Sequence, residues 1–460
     1  MDTLLHWNSV VNGIVWGPAV LALLVGTGIW FSAVLGFPQL RYFGVMLTEV
    51  FGRSRGKDDA KGNISSFAAV STALAATIGT GSIAGVATAL HLGGPGALLW
   101  MFVSGFFGMT TKFCEICLAI KYREKDSTGA WRGGTMYVLE KGCGIKWLAA
   151  MFAFFALFAA IGTGNMIQAN STTDALYMAF NIPHVYTAVL LTVIVGLTII
   201  GGLKSVASLT IYLVPVMAVI YVSGAVVVVV ENWTIIPSAL KTALAGAFHN
   251  PMSLPGALAG WSVANAIKYG VARGVFSNEA GLGSAPMVHA AAQVDHPARQ
   301  GLYGIFEVFM STIVICTMTA LIIITTGVLT SESGARLTGA QLTLAGFEAV
   351  LGHQLGSVLL SVGLALFALS TILGWYYYGE TALTYLLPVK CIPAYKIFWI
   401  CGTLLGGWGG ASWLVSLWEF ADTMNGLMAI PNLIGMLLMT RVLREIVGDF
   451  DERRRAGLFR

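Results

Sequence analysis

The sequence predicts an all-α polytopic membrane protein, and three observations carry that reading. Of its 460 residues 56% are hydrophobic and only 10% charged, where a soluble domain carries about 25% charged residues. Mean hydropathy is +0.77. Apolar runs of about 20 residues, long enough to cross a bilayer, recur along the whole chain. The net charge of +4 comes from basic residues in short loops, so it reads as an orientation signal and not as a nucleic-acid surface.

Eleven transmembrane helices are expected, at about residues 14–37, 65–91, 95–120, 146–180, 184–202, 206–230, 256–292, 299–328, 355–388, 394–417 and 420–445. The first follows "MDTLLHWNSVVNG", which has no basic n-region, and it is too long for a signal-peptide core. It reads as an uncleaved span with its N-terminus outside. Cutting the last apolar stretch at Gly410 and Pro431 would give twelve spans and export six tail arginines, against the positive-inside rule. Eleven spans instead place Arg41, Arg53, Arg55, Lys57, Lys61, Lys112, Lys121, Arg123, Lys125, Arg132, Lys141, Lys146, Lys204, Arg299, Lys390, Lys396 and the tail in the cytoplasm of a plasma (inner) membrane. Lys241 and Arg336 fall in outer loops. The chain divides into an N-terminal helix and cytoplasmic loop (1–64), two repeats (65–255 and 256–445) and a basic tail (446–460).

Two spans carry glycine and polar residues at mid-membrane depth. The second contains "ATIGTGSIAGVATAL", with Gly79, Gly81 and Gly85 among Thr77, Thr80 and Ser82; the seventh contains Gly274, Ser277, Asn278, Glu279, Gly281 and Gly283. Five spans separate their starts, so the two run in opposite directions. Paired, glycine-interrupted spans in inverted halves point to a secondary-transporter site at the midplane, with breaks expected at 77–82 and 274–279. A broken helix exposes free carbonyls at one end and free amides at the other. Carbonyls of Ala75 to Ile78 suit a hard cation, amides of Gly79 to Ser82 a carboxylate, and carbonyls of Arg273 to Phe276 an ammonium. The competing reading of each glycine run is close helix packing.

The strings "GTGSIAGVATAL", "GGPGALLWMFV", "GMTTKFCE", "GTGNMIQANS" and "RGVFSNEAGLGSAPMVHAAAQVDHPARQG" resemble the alanine or glycine:cation symporter family, the sodium:alanine symporters. With "STILGWYYYGE" and "NGLMAIPNLIGMLLM" the likeness runs from about residue 65 to 440. It implies a LeuT-type inverted five-plus-five repeat with an additional N-terminal helix, and import of alanine or glycine with Na+, or less often with H+. It also implies substrate contacts from Thr77, Gly79, Thr80 and Gly81, from Gln168, from Phe276, and from Thr371 and Trp375. Sodium ligands are implied at Ser370 and Thr371, with carbonyls of Ala75, Ile78 and Phe367. Ser82 stands where the family usually has Asn; both cap helices.

Asn165 and Gln168, three residues apart, are expected to share a lumen-facing side. Trp375, one turn beyond Thr371, shares its face and with Phe276 would limit the size of the bound side chain. Asn278 and Glu279 read as the cap of an inner half-helix, with direct proton coupling by Glu279 as the alternative. Lys268 and Arg273 are candidate partners for Glu279 or Asp174; Asn165, Arg273, Asn278 and Glu279 are candidate gate or network residues, as are Asp174, Glu307 and Glu380, which the sequence does not rank. His289 reads as packing. Cys114 and Cys117 have CxxC spacing but no second pair, and no nucleophile elbow or Walker loop occurs, so neither metal nor enzymatic chemistry is expected. An ion channel is the rival from another class, and a proton-coupled carrier the nearer one.

Overall fold

The computed structural model describes residues 2–52, 61–249, 260–331, 336–408 and 413–458. Arg53, Arg55, Lys57, Gly410 and the first four residues of the seventh expected span lie outside the described residues. The chain is predominantly helical. Its main helices are α1 (Leu5–Val34), α2 (Ser66–Thr77), α3 (Ala84–Gly93), α4 (Ala97–Lys121), α5 (Lys146–Phe180), α6 (His184–Ile200) and α7 (Gly202–Glu231). After these come α8 (Val263–Asn278), α9 (Pro286–His289), α10 (Pro297–Thr325), α11 (Gly339–Leu386), α12 (Ile392–Gly407), α13 (Trp413–Leu438) and α14 (Thr440–Arg455). Seven are long and apolar enough to cross a membrane on their own; counting the bent pairs α2/α3 and α13/α14 as one span each gives nine among the described residues. The protein is an integral, multi-pass membrane protein.

Two long helices organise the bundle. α4 packs along α8 and α10, α11 packs along α5 and α7, and α2 and α3 lie between these groups against α11. Small residues let α4 approach its neighbours: a side chain at Gly105 would strike Thr312, one at Gly108 would press on Ala280, and one at Gly301 would strike Phe113 and Cys117. Such contacts replace the hydrophobic driving force that lipid does not supply between helices. Each glycine-rich segment starts from a serine cap: Ser65 Oγ accepts the Ala68 amide ahead of α2, and Ser262 Oγ accepts the Asn265 amide ahead of α8.

The basic loops gather at one end. β1 (Ile64–Ser65) pairs in parallel with a strand at Ala292–Gln293, Ile64 opposite Ala292 and Ser65 opposite Gln293. Arg123 clamps this junction, donating to the carbonyls of Lys61, Ala290 and Ala292 at 2.8, 2.9 and 2.6 Å. Arg299 pairs with Glu49 at 2.7 Å, and Arg41 with Asp451. The tail is therefore no free extension: α14 turns 64° from the helix before it and buries Leu443, Ile446, Val447 and Phe450.

Candidate functional site

The first break falls where the glycine run places it. α2 ends at Thr77, Ile78 and Gly79 leave the helix, Thr80–Ser82 form one 3-10 turn, and α3 departs at 62°. Because the Gly79 amide bonds Thr77 O at 3.0 Å, the Ala75 carbonyl loses its helical donor. Two hydroxyls from α11 come to it instead, Ser370 Oγ at 3.1 Å and Thr371 Oγ1 at 3.2 Å. The same hydroxyls lie 2.8 and 2.9 Å from Phe367 O, and each has one proton to give between two carbonyls. The result is an oxygen-only cluster without a charged side chain, a donor set suited to a hard cation of low charge. Gly79 is required by this approach, since a Cβ there would stand 2.6 Å from Thr371 Oγ1. The Thr80 and Gly81 amides make no backbone bond among the described residues.

The second break is displaced from its expected position. α8 continues unbroken through Gly274 to Asn278, and the non-helical segment is 279–285. The correction has two physical causes. Gly274 serves packing: a side chain there would strike Ser104 and Met101 of α4. The chain reversal instead uses the left-handed region, with φ of +55° at Glu279, +92° at Gly281 and +80° at Gly283. Glu279 is thus the C-cap of α8, its amide bonded to Val275 O at 2.7 Å, and not the N-cap of the half-helix that follows. Only one helical turn, α9, follows.

The first break meets the last turn of α8. Ser82 Oγ lies 2.7 Å from Ser277 Oγ, and a Cβ on Gly81 would stand 3.0 Å from the Phe276 ring. Between them is a cavity of about 20 Å³ bounded by Thr77, Gly79, Gly81, Gln168, Phe276, Glu279, Thr371 and Trp375. Thr80 borders it through Gln168, donating to Oε1 at 3.2 Å, while Gln168 Nε2 donates to Thr163 O at 3.1 Å. Trp375 is 2% exposed and donates from Nε1 to Glu279 Oε1 at 3.0 Å. Phe276 separates this cavity from a vestibule of about 190 Å³ that also touches Arg273 and Asp422.

Asn165 is not at this cavity. Its Nδ2 donates to Trp399 O and its Oδ1 accepts from Thr403 Oγ1, both at 2.8 Å, so it ties α5 to α12. Residues 160–166 form a π-helical turn, which widens the helix and separates the faces of residues three apart. Asn278 donates to Thr312 Oγ1 at 3.1 Å and caps the Ala280 amide at 2.9 Å. Arg273 meets neither Glu279 nor Asp174: it stacks 5.5 Å over the Phe276 ring, and Asp174 pairs with His184 at 2.9 Å. Lys268 lies over the Tyr269 ring.

Below the cavity lies an ion network that the sequence reading did not assemble. Lys112, expected in a cytoplasmic loop, is fully buried in α4, its Nζ 3.2 Å from Glu307 Oε1. Glu307 also accepts from Thr77 Oγ1 at 2.7 Å and faces His289 Nε2 at 3.2 Å. His289 is thus a network member, with Gln300 Nε2 2.8 Å from its Nδ1. Lys112 sits inside the expected run 95–120, and an intramembrane charge there was the available signal. Thr163 and Asn425, joined at 3.0 Å, also line the cavity; both fall in strings that carry the family resemblance, and neither was singled out as a site residue.

The chain is 46% identical to the sodium/alanine symporter AgcS of Methanococcus maripaludis, over 97% of each chain. It is 34% identical to a putative sodium/proton-dependent alanine carrier protein, YrbD, of Bacillus subtilis, covering 97% of this chain and 93% of that one. Among solved structures, a manganese transporter of Eremococcus coleocola aligns with a TM-score of 0.48 and 14% identity, covering 85% of this chain and 82% of that one. The family description sodium:alanine symporter matches residues 1–459. The chain therefore belongs to the sodium:alanine symporter family, whose members are transporters and not enzymes.

Proposed function

We propose that the protein imports a small neutral amino acid, alanine or glycine, together with Na+, by alternating access through an eleven-span LeuT-type inverted repeat. The N-terminus is outside and the clustered basic loops are cytoplasmic, following the positive-inside rule. Adding α6 and the broken α8/α9 segment to the nine spans counted above brings the total to eleven.

The observation that carries the reading is the oxygen cluster of Ala75, Phe367, Ser370 and Thr371, one turn from the cavity wall at Gly79. Na+ is held there, with the Ile78 carbonyl as a further ligand at the helix end. The substrate carboxylate takes the Thr80 and Gly81 amides, Gln168 orients it from α5, and Phe276 and Trp375 enclose its side chain beside Thr371 and Thr77. A zwitterion carries no net charge, so one Na+ moves one charge. A potential of 100 mV adds about 2.3 kcal/mol and a tenfold sodium gradient about 1.4 kcal/mol, enough for accumulation of about several hundred-fold.

The test is uptake of labelled alanine into proteoliposomes under an inward sodium gradient, with choline replacing sodium as control. Accumulation above equilibrium that needs sodium supports the reading; downhill flux alone indicates a channel. Thr371→Ala removes one sodium oxygen and is expected to raise the sodium concentration for half-maximal uptake by about tenfold; an unchanged value removes Thr371 from the site. Trp375→Ala is expected to let serine and larger amino acids compete with alanine, and an unaltered competition profile places the size limit elsewhere.

A further inference from the structure

Trp375 is held at both ends. At its tip Nε1 donates to Glu279 Oε1 at 3.0 Å, and the Tyr378 ring meets the indole edge-on at 5.3 Å. At its root the side chain lies directly on the backbone of α5: a Cβ added to Gly164 would overlap Trp375 Cβ and stand 2.5 Å from its Cγ and 2.9 Å from its Cδ2. Gly164 itself does not border the cavity. It lies between Thr163 and Gln168, which α5 gives to the cavity wall, and it touches the helix that gives Thr371 and Trp375. This contact therefore fixes the distance between two opposite walls.

The seam between α5 and α11 is close at a second level. Gly379, one turn beyond Trp375, faces α5, and a Cβ there would stand 3.0 Å from Ala160 Cβ and strike the Tyr395 hydroxyl of α12. Each helix thus supplies one glycine to the other, which lets the two backbones approach. Gly162, in the same π-helical turn as Gly164, serves a different neighbour: a Cβ there would strike Ala421 of α13.

The atoms struck decide what a larger residue at 164 would do. Cβ of Trp375 is fixed to the main chain, so turning the indole to another rotamer does not clear the overlap. Comfortable contact between carbons begins at about 3.5 Å, so α5 and α11 must part by about 1 Å. The wall carrying Thr163 and Gln168 then moves away from the wall carrying Thr371 and Trp375. The cavity widens.

We infer that Gly164 is a positioning residue for substrate specificity: its missing side chain lets α5 close on Trp375 and so sets the largest side chain the cavity accepts. The inference rests on the reading above that Trp375 bounds the substrate side chain, and its test separates the two. Wild type, Gly164→Ala, Gly162→Ala and Trp375→Ala are reconstituted, and glycine, alanine, 2-aminobutyrate and valine compete against labelled alanine. The same amino acids are scored by the rise in thermal midpoint that each gives in detergent.

Gly164→Ala is expected to lower the ratio of half-inhibiting concentrations, 2-aminobutyrate over alanine, by about tenfold or more, the scale of one methylene in a close-fitting apolar wall. Gly162→Ala, overpacked in the same turn but against α13, is expected to lose stability and keep the wild-type ratio. A folded Gly164→Ala with the wild-type ratio overturns the inference, and so does a Gly162→Ala that lowers the ratio as far. Should Gly164→Ala not fold, Gly379→Ala wedges the same seam from α11: a lowered ratio supports the inference and an unchanged one overturns it. A ratio lowered in Trp375→Ala but not in Gly164→Ala removes the inference alone, whereas a ratio unchanged in both removes Trp375 from the wall. If alanine does not bind, the substrate reading fails, and the midpoint series still decides whether Gly164→Ala admits a longer side chain than wild type.

Discussion

Lys112→Met is expected to destabilise the protein by about 3–5 kcal/mol, the cost of leaving one member of a buried ion pair without its partner. Both side chains of the Lys112–Glu307 pair are fully buried, 3.2 Å apart. Methionine fills the stem volume but leaves Glu307, among the described residues, with the Thr77 hydroxyl and the His289 ring. The thermal midpoint of the purified protein in detergent reports the loss. Adding Glu307→Gln to the same chain removes the stranded charge and is expected to recover most of the midpoint, because a neutral pair in a buried site is often tolerated. A wild-type midpoint in Lys112→Met alone would show that Glu307 is not ionised. Because Glu307 also holds Thr77, the last residue of α2, the single variant is expected to slow uptake as well.

Gly79→Ala is expected to weaken sodium dependence by about 5–150-fold, corresponding to about 1–3 kcal/mol of overpacking. The added methyl would stand 2.6 Å from Thr371 Oγ1, and relief comes only by moving the hydroxyl away from the Ala75 carbonyl or by shifting the turn. Gly26→Ala is the matched control, since nothing lies within 4 Å of its Cβ position. Sodium titration of alanine uptake distinguishes them. If both variants titrate like wild type, Thr371 does not approach the turn in the working protein.

The first break was legible because its glycine and polar run is matched by a second run at the inverted position; the Gly-Thr-Gly triplet alone does not mark it, since Gly26-Thr27-Gly28 and Gly162-Thr163-Gly164 stay within continuous helices. The second was legible as a segment and not as a position. Gly274 and Gly281 look alike in the sequence, and only the neighbour decides that one admits Ser104 while the other carries a φ of +92°. Asn165 was misread for a related reason. Residues three apart share a face in an α-helix, and the π-helical turn at 160–166 that breaks this rule has no sequence mark of its own. Lys112 was counted with the loops because it stands nine residues before the end of α4, among the basic residues that do reach the end of the bundle. Its partner Glu307 lies 195 residues away, a separation that no periodicity connects.

The short parallel pairing of residues 64–65 with 292–293 joins the chain just before the first broken helix to the chain just after the second. It acts as a yoke: neither inner segment can swing without dragging the other, and Arg123 pins the crosspiece from α4. Under the proposed symport, opening at this end is expected to be one concerted stroke, in which both walls of the cavity part together.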